Sequence, residues 1–517
     1  MKNIFNNYQN INKNKLLTLL LYILIPLIIL SLYYKTLSFD ISGLDDDTFI
    51  KMNFMQTSIT DVFKKTVFLN DISPFYRPLL PISFMIDNTI SNSSPYALHT
   101  TNIMLHIISC FLIFFFFKKY YFNVFLSFLL TLIFATHPIN IFAVAWIPGR
   151  NDSLLLIFTI ISLIFFIEYL KNKKIYLILL HFFALTLGLL TKEVAVIIPF
   201  MCMGYYFIFH KNIQLNIGKI IFFWFTAIFS FFIIHQIMSF HIMPIKNYFI
   251  HLTNSYKAFF DYYASLYFLN IHFSPYTNYS SLILGIIAFI LSFFLTFLSK
   301  LSIPEKTIYF ASPILIIIIS LFSSQGLYQG SRLYTSLFYT LIILGSFIES
   351  LKNKKTIYAS LIILLFITSY ITSQKFYVFQ NAVSFFHTID SEKPNYNINL
   401  ANLYSYNLLQ NGYFQEASKK IKEIAEITDY KDKYNLYLLS IIYISEKEYK
   451  KAIKILESLN CFDKEDIMIK LFICYNAIGD RTKSLFFYGQ AFNIYGDEQR
   501  IQNLIAKQEE DLKNVKI

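Results

Sequence analysis

The run Gly43-Leu44-Asp45-Asp46-Asp47-Thr48-Phe49-Ile50 sets three carboxylates directly after an apolar stretch long enough to cross a bilayer. Anionic side chains at a membrane surface are costly without a purpose. Adjacent carboxylates raise one another's pKa, so one can accept a proton while its neighbour orients it or holds a substrate. The competing account is an aspartate cluster that caps a helix over 48–56. Further along, polar residues of unusual kinds stand at the edges of apolar runs: Tyr76 and Arg77, His137, Trp146, Arg150 to Asp152, Lys192 and Glu193, and Arg332. Each has a bland reading as well. Arg77 before Pro78 can anchor a loop on headgroups, Lys192 and Glu193 can form a hairpin ion pair, His99 and His106 can bond between helices, and His137 before Pro138 can end a helix.

The elements that must position these residues are membrane helices. Of 517 residues, 56% are hydrophobic and 15% charged, with mean hydropathy +0.50, too apolar for a water-soluble core. The formal charge of +12 would suit nucleic acid in a soluble protein, but here the lysines cluster in short segments between apolar runs, so a nucleic-acid partner is excluded in favour of membrane lipid. The four cysteines have no metal-ligand spacing, and no metal site or cofactor is expected. Lys2, Lys13 and Lys15 precede the apolar run from Leu16 to about Tyr34, which stays as a first membrane helix because no small-residue cleavage site follows it. Spanning runs follow at about 98–117, 121–136, 154–170, 175–190, 194–210, 219–239, 281–298, 306–323, 332–350 and 355–373, which makes about eleven spans in an all-α polytopic bundle.

Orientation follows from the basic residues. With the N-terminus inside, Lys118 and Lys119, then Lys171, Lys173 and Lys174, then Lys211 and Lys219, then Lys300 and Lys306, then Lys352, Lys354 and Lys355 all fall on the inner side. This requires the stretch 240–280 not to cross, so its apolar part at about 258–271 reads as a re-entrant or interfacial segment. If it crosses, everything after it inverts and Arg332 leaves the outer face. The outer face otherwise receives the aspartate run, the 137–153 loop, the Thr191-Lys192-Glu193 hairpin, Arg332 and the C-terminus. Convergence of polar groups on one face marks a site better than any single residue.

From about 396 the composition changes to helical apolar spacing mixed with Lys, Glu, Tyr and Asn. The expected division is a transmembrane domain over 1–375, a linker over 376–395 and a repeat domain over 396–517. Asn411-Gly412-Tyr413-Phe414-Gln415-Glu416-Ala417, Glu446 to Ala452 and Ile478 to Ser484 align, with small residues Ala417, Ala452 and Ser484 spaced near the tetratricopeptide period of about 34. About three such repeats suit the capture of a protein partner.

Taken in order, Asp45-Asp46 with Ile50 and Asn53, Tyr76-Arg77-Pro78-Leu79, His99 with Asn102 and His106, His137-Pro138, Trp146 through Gly149-Arg150 and Asp152, Thr191-Lys192-Glu193, and Arg332 with Tyr334 resemble the membrane-embedded GT-C glycosyltransferases. The likeness is greatest to the transmembrane and tetratricopeptide-repeat O-mannosyltransferases and their bacterial relatives, and it extends over nearly the whole chain. The resemblance implies an inverting enzyme that passes a sugar from a polyprenyl-phosphate donor to a protein or glycan acceptor on the non-cytoplasmic side. It assigns the catalytic base to the acidic pair. Three aspartates in a row leave two registers, and spacing to Ile50 favours Asp45 and Asp46. Asp47, Tyr76, Arg77, His137, Arg150, Asp152, Lys192, Glu193 and Arg332 are then expected to bind substrate, with Arg150, Lys192 and Arg332 meeting the leaving phosphate.

Two readings compete: a lipid-linked oligosaccharide ligase or polymerase, and a non-enzymatic membrane-anchored repeat scaffold. Ligases carry their key residues in a large late outer loop, whereas here the acidic site is early. A transporter is disfavoured because the helices hold few ionisable groups near mid-membrane. Simple repeats and the absence of a retention signal point to a bacterial inner membrane.

Overall fold

The computed structural model describes residues 2–43, 45–46, 49, 57–67, 75–209, 217–239, 245–269, 271–273, 279–323, 330–391, 398–459, 464–495 and 498–514. Asp47 and Cys461 lie outside these residues. Every regular element among them is helical, and the chain divides into two compact units, Met1–Asn381 and Ala382–Ile517.

The first unit is a polytopic helical bundle. Its principal helices are α1 (Lys2–Tyr33), α2 (Leu79–Ser91), α3 (Pro95–Tyr120), α4 (Val124–Thr136), α5 (Arg150–Asn172), α6 (Ile175–Thr191) and α7 (Ile197–Phe209). There follow α8 (Ile217–Ser239), α9 (Ile245–Phe268), α10 (Tyr279–Leu298), α11 (Ile303–Ser323), α12 (Tyr334–Ser350) and α13 (Lys354–Lys375). Among the described residues, eight helices are long and apolar enough to cross a membrane. A ninth crossing would be α4 together with Pro138–Val144, bent by 51°. Of the eleven expected runs, those at 175–190 and 194–210 form shorter apolar helices.

Local chemistry sets the ends. Ser94 caps α3, accepting from Ala97 N at 3.4 Å, with Pro95 in the first turn, where its missing N–H costs nothing. Asn123 caps α4 by accepting from Phe125 N and Leu126 N at 3.1 and 3.0 Å. The bend after α4 falls at His137, whose extended ψ of 129° is what a following proline demands.

Lys119, Lys171 and Lys354 gather at one pole of this bundle. Lys119 pairs with Glu168 at 2.9 Å, Lys171 lies over Tyr120, and Asn123 donates to Glu349, which also takes Lys354 at 2.8 Å. The ends of α3, α5 and α12 and the starts of α4 and α13 therefore share a level. The opposite ends of α5, α6 and α12 carry Asp152, Lys192 and Arg332 to the other pole.

The 240–280 stretch turns back on itself. Phe260 of α9 lies on Gly285 of α10, Tyr263 on Phe289, and the Tyr267 hydroxyl faces Ser292, so the two helices run parallel. The chain reverses at Leu269, in the left-handed region at φ 55°, and brings His272 back to Asp261 at 2.6 Å. Consecutive parallel helices require such a return, so α9 and residues 271–273 form a hairpin that enters and leaves from the cleft pole.

The second unit contains α14 (Ala382–Ser391), α15 (Ile398–Gln410), α16 (Phe414–Ile427), α17 (Lys433–Ser445), α18 (Tyr449–Ser458), α19 (Lys464–Ala477), α20 (Arg481–Tyr495) and α21 (Glu498–Asn514). The pairs α15/α16, α17/α18 and α19/α20 pack as successive helical hairpins. Ala417 and Ala452 are fully buried and Ser484 nearly so, as small residues at a close helix crossing should be. Gly412 and Gly479 take φ of 81° and 82° in the tight turns, a conformation that favours glycine.

Candidate functional site

At the pole opposite Lys119, Lys171 and Lys354, a cleft holds a cavity of about 160 Å³. Its walls are Asp45, Phe49, Val67, Phe75, Arg77, Leu80, Trp146, Pro148, Asn151, Asp152, Lys192, Ser331 and Arg332. That size suits a small polar headgroup rather than a whole lipid.

The floor is built by one short segment. Between α4 and α5 the chain makes three brief helical turns, Pro138–Asn140, Ile141–Val144 and Ile147–Gly149, and delivers Trp146, Pro148, Asn151 and Asp152 to the cleft. Asn102 of α3 fixes this backbone. Its Nδ2 lies 2.9 Å from the Trp146 carbonyl and 3.2 Å from that of Ile147. Gly149 is obligatory, because a Cβ there would stand 1.9 Å from the Phe142 carbonyl oxygen.

Arg150 does not reach the cleft. It is fully buried beneath the floor, donating from Nη1 to Asp87 at 2.5 Å, from Nε to Asn102 Oδ1 and from Nη2 to the Leu98 carbonyl at 3.0 Å each, with its guanidinium 4.2 Å over the Phe84 ring. Every donor face is spent on protein, so the expected contact with a leaving phosphate is replaced by a clamp between α2, α3 and α5. Asp87, its counter-charge, escapes sequence reading because one aspartate in an ordinary helix carries no signal.

His137 and Tyr76 are likewise diverted. His137 Nδ1 accepts from Ile139 N at 3.2 Å and stabilises the break after α4. The Tyr76 hydroxyl donates to the Phe63 carbonyl at 3.1 Å. Neither lines the cleft. His106 bridges helices, with Nδ1 at 2.6 Å from the Tyr334 hydroxyl and Nε2 at 3.0 Å from the Ala135 carbonyl.

The cations of the cleft are already paired. Arg77 binds Glu193 in a two-pronged bridge at 3.0 and 2.7 Å and lies over the Phe75 ring. Lys192 donates to Asp152 at 2.6 Å. Lys192 and Glu193 thus bond away from each other, to α5 and to the segment before α2, rather than forming the hairpin pair. Arg332 donates to the Ser320 carbonyl and turns toward the same walls.

The aspartates divide. Asp46 is 1% exposed, and its Oδ2 accepts from both Ser42 N and Ser42 Oγ at 2.7 Å. Burial pushes its pKa up to about 6; the Ser42 bonds oppose that, and the charge of Asp45 adds to it. Asp45 lines the cleft and keeps solvent contact there; the surrounding walls raise its pKa and Arg77 opposes the rise. Ser42, four residues before Asp46, is the anchor that sequence spacing alone did not single out. Among the described residues no group of three or more His, Cys, Asp or Glu side chains could hold a metal ion.

No family model matches the chain. Over 154 residues it is 32% identical to protein O-mannosyl-transferase TMTC2 of Mus musculus, a stretch covering 28% of this chain and 18% of the relative. The TMTC2 protein of Homo sapiens matches to the same extent. Protein O-mannosyl-transferase F38B6.6 of Caenorhabditis elegans is 26% identical over 176 residues, covering 32% of this chain and 24% of its own length. The chain is thus related in sequence to the TMTC-type O-mannosyltransferases, and the matched part spans about a fifth of the length of these curated relatives.

Proposed function

We propose that this protein is an integral membrane glycosyltransferase that moves mannose or another hexose from a polyprenyl-phosphate donor to an acceptor hydroxyl, with a Ser or Thr of a protein as the favoured acceptor, on the non-cytoplasmic face. The observation that carries this reading is the cleft itself: one solvent-reaching carboxylate, Asp45, shares its walls with Arg77, Lys192 and Arg332 at the bundle pole remote from Lys119, Lys171 and Lys354. The relatives, protein O-mannosyl-transferases by name, support mannosyl transfer.

Asp45 is the base in this reading. It takes the proton of the acceptor hydroxyl as that oxygen attacks the anomeric carbon, and the bond from that carbon to the phosphate oxygen breaks with inversion. The phosphate departs toward Lys192, Arg332 and Arg77, which stabilise its developing charge. Asp46, tied to Ser42, fixes the backbone that presents Asp45. Asp47 belongs to the same run and is kept as a binding residue. The repeat unit, read as tetratricopeptide-like, holds the acceptor or a protein partner, and the membrane is a bacterial inner membrane with the N-terminus cytoplasmic.

The test uses membranes containing the full chain, a polyprenyl-phosphate mannose donor and peptide acceptors. Asp45→Asn should lower transfer by at least 100-fold, in line with the loss of a general base. Full activity in the single Asn variants of Asp45, Asp46 and Asp47, and in the triple variant, overturns the base assignment.

A further inference from the structure

Trp146 and Asn151 stand together in the cleft wall, and the buried amide oxygen of Asn151 meets no protein partner. Trp146 is 8% exposed and its Nε1 is turned to the Asp46 carboxyl, short of a well-formed hydrogen bond; Asn151 is 4% exposed and its Oδ1 accepts from nothing. Buried polar groups in folded proteins are almost always hydrogen-bonded, so the unpaired Asn151 oxygen and the loosely held indole N–H beside it need a reason. They come from the same rigid segment, five residues apart, held by Asn102 and by the close approach at Gly149. Their chemistry is complementary: an acceptor without a donor and a donor held only loosely by Asp46. A sugar hydroxyl offers both roles, and neither the phosphate nor the isoprenoid tail of a donor lipid can give a proton to Asn151 at neutral pH. The charged groups of the cleft, Arg77, Lys192 and Arg332, stand on other elements and suit the phosphate instead.

Resting on the glycosyltransferase reading, we infer that Trp146 and Asn151 are the sugar-reading pair of the cleft, with Trp146 Nε1 donating to one hydroxyl of the hexose and Asn151 Oδ1 accepting from another. The pair sets which sugar is used and leaves the phosphate to the cations. A site built to bond a hydroxyl rejects an analogue that lacks it far more strongly than an apolar pocket rejects an added group. The Trp146 indole N–H is also turned to the Asp46 carboxyl, where it opposes the rise in that group's pKa. A mere positioning role, with the indole holding Asp46, is therefore the alternative that the experiment must separate.

Trp146 and Trp224 are the only tryptophans of the chain, and Trp224 is packed on His181 between α6 and α8. The fluorescence change that is present in the wild type and lost in Trp146→Phe therefore reports the cleft. The purified full chain in detergent is titrated with a short-chain prenyl-phosphate mannose and with the same prenyl phosphate lacking sugar. The sugar lipid should shift Trp146 emission, the plain phosphate should not, and Asn151→Ala should weaken sugar-lipid binding by roughly tenfold while leaving plain phosphate binding unchanged. In parallel, monodeoxy-mannose donors are assayed with wild type, Trp146→Phe and Asn151→Ala. Each variant should lose activity on mannose yet lose nothing further on the deoxy donor that lacks its own hydroxyl.

Equal responses to sugar lipid and plain phosphate, or an equal loss across mannose and every deoxy donor, would overturn the pairing and leave only the positioning role. A Trp146 response specific to the sugar lipid, in a wild-type protein that transfers no sugar, would instead sink the transferase reading and keep the sugar site.

Discussion

An ionised carboxylate at Asp46 sits without solvent and with one oxygen unbonded, so the fold prefers its protonated form. Its pKa is raised to about 6, above the unfolded value, so between about pH 4 and 6 the native state binds the extra proton. Stability therefore falls as pH rises through that window, by up to about 3 kcal/mol for a shift near two units. Asp46→Asn should flatten this slope in thermal melts of the detergent-solubilised protein between pH 4 and 7; an unchanged slope would mean that another group carries it. Transfer by the Asp46→Asn protein should fall much less than by Asp45→Asn, because Asp46 acts through backbone placement.

At the scale of the element, the segment between α4 and α5 concentrates the demands. Arg150→Ala would leave Asp87 buried and unpaired, at a cost of about 3–5 kcal/mol. Removing both charges with Arg150→Met and Asp87→Leu should recover much of that loss. Melting temperatures of the two single variants and the double variant decide it: if the double is no better than the singles, the pair is not the source. Gly149→Ala should lower both melting temperature and transfer, since backbone rather than a flexible side chain blocks the added methyl. The helices around this segment were legible because a run of some twenty apolar residues has one stable solution in a bilayer. The break at His137 was legible too, because Pro138 excludes the helical conformation before it. What could not be read was the side on which each charge is spent. Arg150 and Lys192 look alike in sequence, as cations at helix ends, yet the first is sealed under the cleft floor by Asp87 and Asn102 and the second faces the cleft beside Asp152. That difference depends on residues 40 to 63 positions away, beyond the reach of local spacing. Tyr76 and His137 were diverted in the same way, by backbone groups at Phe63 and Ile139.

For the whole molecule, the gathering of Lys119, Lys171 and Lys354 at the pole opposite the cleft gives the topology a direct test. Single cysteines at Lys64 and Lys352, in a background where Cys110, Cys202, Cys461 and Cys474 are Ala, should label from opposite sides of sealed vesicles with a membrane-impermeant maleimide. Labelling from one side only would place both poles together and undo the proposed orientation. In the second unit, Ala452→Leu forces a larger side chain into a fully buried helix crossing and should cost about 1–3 kcal/mol, read as faster proteolysis of residues 382–517 with transfer from soluble donor analogues retained.

The hairpin at α9 carries a consequence for how the chain is made. Phe142, which packs on Phe273, is made before it, but the surfaces that cover most of α9, Gly285, Phe289 and Ser292 of α10 together with α11 and the turn at Gly330–Leu333, emerge from the ribosome after it. Until they do, the buried Asp261 and its neighbouring tyrosines face lipid or water rather than protein. Synthesis should therefore hold residues 245–273 at the membrane surface until α10 to α12 have been inserted, and a nascent chain stalled before residue 279 should leave this segment open to protease from the cleft side.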